Sequence, residues 1–76
     1  MNEIRYLGVV ALLTDKPEVG LKRGDVGTVV EMVQMTNDHP GGCIVEFVGD
    51  SGEILTLLDV TDLSEIMPLQ FKLRAA

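Results

Sequence analysis

Turn-forming residues recur about every ten positions along this chain, separating short runs rich in Val, Ile, Leu and Thr, and that spacing is the pattern of an all-β barrel or sandwich. No stretch carries an amphipathic repeat long enough for a helix. The runs predict strands at Leu7 to Leu13, Val26 to Val33, Cys43 to Val48 and Ile54 to Leu58, with a fifth between Glu65 and Leu73. Gly49-Asp50-Ser51-Gly52 reads as a tight hairpin turn, because Gly accepts positive φ and Asp or Ser hydrogen-bonds the local backbone. Asn37 to Gly42 is a longer connection, and Pro40 keeps it out of a strand interior. Thr61-Asp62-Leu63 is too short for an α-helix and is predicted to make one 3-10 turn before the last strand.

Strand, long loop, three strands in meander, a single turn and a final strand is the order of a small five-stranded SH3-like barrel. The chain also resembles a family of small bacterial proteins classed as a domain of unknown function. The matching residues are Val9-Val10-Ala11-Leu12-Leu13, Asp15, Pro17, Gly20-Leu21, Arg23-Gly24, Val26-Gly27-Thr28-Val29-Val30-Glu31, Val45-Glu46-Phe47 and Gly52. The resemblance covers Leu7 to Leu63, implies an SH3-like fold, and brings no catalytic or ligand residues with it. The loop from 34 to 42 and the strand or tail from 65 to 76 lie outside the shared pattern.

At 76 residues the chain supports one domain, residues 1–76, with one core. Its longest apolar runs are far below the roughly 20 residues needed to cross a bilayer, so no membrane partner is expected. Met1-Asn2-Glu3-Ile4-Arg5 lacks the basic start and apolar centre of a secretory signal, and the single cysteine, Cys43, has no internal partner. Both features predict a cytoplasmic protein held together by packing alone.

The net charge of −6 is unevenly distributed. Arg5, Lys16, Lys22 and Arg23 precede Gly24, and Lys72 and Arg74 follow Phe71. Between Gly24 and Phe71 there are nine Asp and Glu residues and no Lys or Arg. A surface with that balance repels phosphate backbones, whose binding depends on neutralisation by Lys and Arg, so no nucleic-acid partner is expected.

Gly20 to Met32, GLKRGDVGTVVEM, is the one stretch that looks like a site. It matches neither the phosphate-binding GxxxxGK[ST] nor the GxGxxG fingerprint. Its GDVG is similar to the glycine-centred turn of KOW-type barrels, which contact RNA or ribosomal protein, and this makes a KOW-like nucleic-acid or ribosome-associated domain the alternative reading. The structural reading is stronger: Gly20 and Gly24 permit the bend, Leu21 tucks into the barrel mouth, and Lys22 and Arg23 form a basic rim in water. Proline-rich recognition needs an aromatic groove, and with no Trp and only Tyr6, Phe47 and Phe71 the chain does not supply one.

The only His and Cys, His39 and Cys43, suggest a base and nucleophile, but nothing supplies an orienting group or an oxyanion hole. His39 is expected to be a solvated loop residue and Cys43 a buried strand residue. Asp38, His39 and Cys43 are too few for structural zinc, and Asp50 and Glu53 read as turn residues rather than calcium ligands. No enzyme activity, metal or cofactor is therefore expected.

The unusual feature is an excess of apolar residues on strands that should be half-exposed. By strict alternation, Val26, Thr28, Val30 and Met32 share one face of the second strand, and Gly27, Val29, Glu31 and Val33 share the other. Both faces are apolar, as in Ile54-Leu55-Thr56-Leu57-Leu58. Either Val33 to Gly42 and Met67 to Phe71 fold over the outer surface, or another chain does. Val29, Val33, Leu55 and Leu57 are the candidate interface row. The resulting expectation is a non-catalytic protein–protein interaction module or small acidic subunit, whose partner is another, basic protein or a second copy of itself.

Overall fold

The computed structural model describes residues 3–70. They form five strands, β1 (Val9–Leu12), β2 (Val26–Val33), β3 (Gly42–Val48), β4 (Ile54–Val60) and β5 (Ile66–Leu69), with 3-10 turns at Pro17–Val19 and Leu63–Glu65. All neighbours pair antiparallel in one sheet of order β4-β3-β2-β1-β5, so the fold is all-β as the turn spacing predicts. Val60 from β4 and Ile66 from β5, at opposite ends of that sheet, join one buried cluster with Val10, Leu12, Leu21, Val29, Cys43, Val45 and Phe47. The sheet therefore curls around a single core.

Local chemistry sets the element boundaries. β1 starts two residues later than expected because Leu7 adopts φ 65 and Gly8 N–H donates to the Arg5 carbonyl, making a turn where alternation predicts a strand. Pro17–Val19 was not anticipated; Gly20, at φ 74, closes it by donating to the Pro17 carbonyl. The turn before β5 lies at Leu63–Glu65 rather than Thr61 to Leu63, because the Asp62 carboxylate accepts from Ser64 N–H and acts as its cap. The part of the expected fifth strand beyond Gln70 lies outside the described residues.

Two glycines are required by close approach. A Cβ on Gly27 would meet the Glu46 carbonyl oxygen and a Val45 methyl, each at 2.7 Å, so glycine lets β2 lie directly against β3. Gly42 has φ 123, and a Cβ there would run into the Val60 carbonyl oxygen, where β3 begins and β4 ends.

The strict alternation assumed for β2 fails at one point. Thr28 pairs with Glu46 and Val29 with Val45, but Glu31 pairs with Ile44, leaving Val30 as the extra residue of a β-bulge. Val29 and Val33 therefore fall on opposite faces. Val29 is 0% exposed at the centre of the core, so it is not part of an outward row, and Val33 is half-buried beyond the bulge. A second slip, between Phe47–Thr56 and Val48–Ile54, leaves Leu55 as the extra residue in β4.

Candidate functional site

Register defines the outward face. One row crosses all five strands through Leu57, Glu46, Thr28, Val9 and Leu69, while the corresponding inward row contains Leu58, Val45 and Val29. Leu55 and Leu57 are 59% and 57% exposed, and Ile54 is 61% exposed. Val48 and Val26 are also exposed, extending the apolar surface from β4 across β3 to β2. Sequence reasoning selected Leu55 and Leu57 but missed Ile54, Val48 and Val26. Their signal, an apolar residue at each strand end, becomes readable only when the strands are placed in register.

This surface runs into a cleft of about 200 Å³ lined by Leu21, Asp25, Val26, Phe47, Val48 and Leu55. Leu21 and Phe47 belong to the core, so the cleft floor is apolar, and Asp25 contributes the one charged side chain of the lining. Among the described residues, neither segment proposed as a cover folds over this region. Met67–Leu69 belongs to β5, hydrogen-bonded beside β1, and Met35 in the β2–β3 loop is 78% exposed.

The basic rim is a rigid turn. Lys22 N–H donates to the Asp25 carboxylate at 3.0 Å, Arg23 N–H to the Asp15 carboxylate at 2.9 Å, and Gly24 N–H to the Leu12 carbonyl at 2.8 Å. Leu21 is buried, while the Lys22 and Arg23 side chains are exposed. Two carboxylates sit within the same turn, so the pair makes little net positive field.

His39, expected as a solvated loop residue, lies in the β2–β3 loop with its side chain part-exposed and hydrogen-bonded. Its Nδ1 accepts from Gly41 N–H at 2.9 Å, so Nε2 carries the ring hydrogen and donates to the Asp59 carboxylate at 3.1 Å. Both ring nitrogens are thus engaged, Nδ1 within the β2–β3 loop and Nε2 in fastening that loop to β4. Cys43 is buried; that burial pushes its thiol up from the ordinary value, and the Asp59 charge adds to the effect. A thiol held protonated is a poor nucleophile. Among the described residues no three His, Cys, Asp or Glu side chains gather as a metal-holding group, and no helix is long and apolar enough to cross a membrane.

At the other end of the sheet, Lys16 Nζ lies 2.9 Å from a Glu65 oxygen, tying the β1–β2 loop to the turn that precedes β5. Hydrogen bonding to Glu65 raises the Lys16 pKa. Asp62 is held below its ordinary value by hydrogen bonds from the Ser64 hydroxyl and backbone N–H. Phe47 lies in the core, Tyr6 is exposed before β1, and Phe71 lies outside the described residues, so no aromatic groove is formed among the described residues.

No curated protein and no solved structure matches the chain. A family model does: that of DUF4926, described as a domain of unknown function, aligns with residues 6–67, and the chain belongs to that family.

Proposed function

We propose that this protein is a non-catalytic protein–protein interaction module whose working surface is the outward face of β2, β3 and β4. The observation that carries the reading is the continuous exposed apolar surface of Ile54, Leu55, Leu57, Val48 and Val26, running into the cleft floored by Leu21 and Phe47. Burying one such side chain is worth about 1.5–3 kcal/mol, and a small fold has little stability to spare for leaving several in water. Glu46 lies within the same face, and Glu31 and Asp59 flank Ile44 in the neighbouring row. The partner that fits is a protein presenting apolar anchors within a basic rim, which makes this chain the acidic member of the pair.

The test is capture from an extract of the native host with the wild-type protein and with Val26→Asp, which places a charge beside the cleft at an exposed position. A protein retained by the wild type and released by Val26→Asp supports the face. Equal retention by both, with circular dichroism showing both folded, rejects it. Retention of nucleic acid in place of protein would favour the KOW-like alternative, with Lys22 and Arg23 as its contacts.

A further inference from the structure

The face leaves one element unexplained, the free edge of β4. Among the described residues no strand pairs with that edge, and Ile54–Val60 contains neither Lys nor Pro, residues that commonly prevent an edge from pairing. In a chain of net charge −6, the five residues from Ile54 to Leu58 carry no charge. Resting on the interaction-module reading, we infer that the β4 edge pairs antiparallel with the β4 edge of a second copy, giving a two-fold dimer whose sheets run on as one.

Charge and register limit how two such edges meet. In a two-fold antiparallel pair, facing residues lie on the same side of the sheet, so the axis passes through a residue rather than between two. With Thr56 on the axis, Glu53 would face the partner's Asp59, and with Asp59 on the axis the two Asp59 side chains would face each other; like charges opposite one another destabilise a pair. With Leu57 on the axis, Asp59 would face the partner's Leu55, which is the bulged, unpaired residue. With Leu58 on the axis, all of the regular stretch is used. Thr56 then faces the partner's Val60, and Leu57 faces the partner's Asp59, with no carboxylate opposite another. Leu58 is partly buried against the core, so its contact with the partner's Leu58 joins the two cores across the seam. The dimer would present two acidic faces on one continuous sheet.

This register gives Leu57 a specific neighbour and therefore a specific test. Leu57→Asp and Leu57→Lys remove the same apolar side chain from an exposed position, but one places a like charge opposite the partner's Asp59 and the other an unlike charge, twice per dimer. Sedimentation equilibrium of the full chain is expected to show a dimer for the wild type. The dissociation constant of Leu57→Asp should exceed that of Leu57→Lys on the order of tenfold, given two such pairs. The same two substitutions at Ser51, in the exposed β3–β4 turn, should leave association unchanged. A wild-type monomer up to millimolar concentration overturns the inference. So does equal dissociation of the two Leu57 variants, or a Ser51 pair that reproduces the Leu57 difference. Sedimentation reads only self-association, so a monomer that still captures a protein in a Val26-dependent way refutes the second copy and leaves the face standing. Loss of both refutes the face as well.

Discussion

The two strands that end the sheet differ in length, composition and anchorage. β5 has four residues, includes Pro68, follows the capped turn at Leu63–Glu65, and is tied to the β1–β2 loop through Lys16 and Glu65. β4 has seven residues, a bulge at Leu55 and three apolar side chains more than half exposed; beyond its pairing with β3, the His39–Asp59 bond and the close packing of Gly42 against Val60 fasten the end where it finishes. Proline at β5 removes a backbone donor, whereas every residue of β4 keeps its N–H. The lesson is that the two edges, built from similar apolar residues, are prepared for different neighbours: one closes the fold and the other is left able to extend it.

The sharpest way to test that contrast is to put the same charge on the two faces of the β4 half. Val29→Glu buries a carboxylate in the core and should cost about 3–5 kcal/mol, most of the stability of a domain this size. Leu57→Glu, on the outward row, should change monomer stability by no more than about 0.5 kcal/mol. Urea unfolding of both variants measures the difference, and comparable losses would place Val29 and Leu57 in similar environments, against the bulged register. Next in size is Gly42→Ala, which combines a left-handed backbone with collision against the Val60 carbonyl and should cost about 3 kcal/mol. Faster hydrogen exchange confined to β3 and β4, with β1 and β5 still protected, would locate the damage at the open end.

Most of the architecture is readable from local signals, and the face is not. β2 has the bounds that its β-branched run and flanking glycine predict, and the hairpin at Gly49 to Gly52 follows from turn chemistry. Period-two alternation breaks down at Val30 and Leu55, because a bulge is a feature of pairing between two strands and neither sequence alone reveals it. When both faces are apolar, no polar residue betrays the slip, so Val29 is easily assigned to the wrong side. The partners of His39 were hidden for a related reason: Asp59, twenty residues away, reaches it only through the meander. The roles of Asp15 and Asp25 were legible in principle, since a carboxylate beside Gly-rich turns is a common backbone acceptor.

Smaller effects should appear at the guarded end. Asp62→Ala removes the cap of the turn leading into β5 and should lower the melting temperature by a few degrees, with little effect on any association through β4. The sign of the pH dependence follows from the lowered Asp62 pKa: its contribution is present above the ordinary aspartate value and is lost as pH falls through the lowered one. Alkali acts on the opposite set. Lys16 and Cys43 both have raised pKa values, the first through its hydrogen bond to Glu65 and the second through burial. Each contribution is complete below the group's unfolded value and disappears as pH climbs through the raised one. Melting curves should therefore decline gently with alkali. Lys16→Gln should remove the lysine part of that slope, the smallest of these effects; an unchanged slope would show that the Lys16–Glu65 pair does not anchor β5 in solution.

The pairing of Val9 with Leu69 has a further consequence for synthesis. β1 is made before β2, β3 and β4, and its outer neighbour after all of them, so the meander of β1 to β4 emerges before the strand that covers β1 exists. Contacts this distant in sequence slow folding and prolong exposure of unpaired strands. During translation β1 would stand as an open edge until Ile66–Leu69 emerges and pairs with it. A truncation ending before Ile66 would hold the chain at that stage, and its expected fate is aggregation through β1.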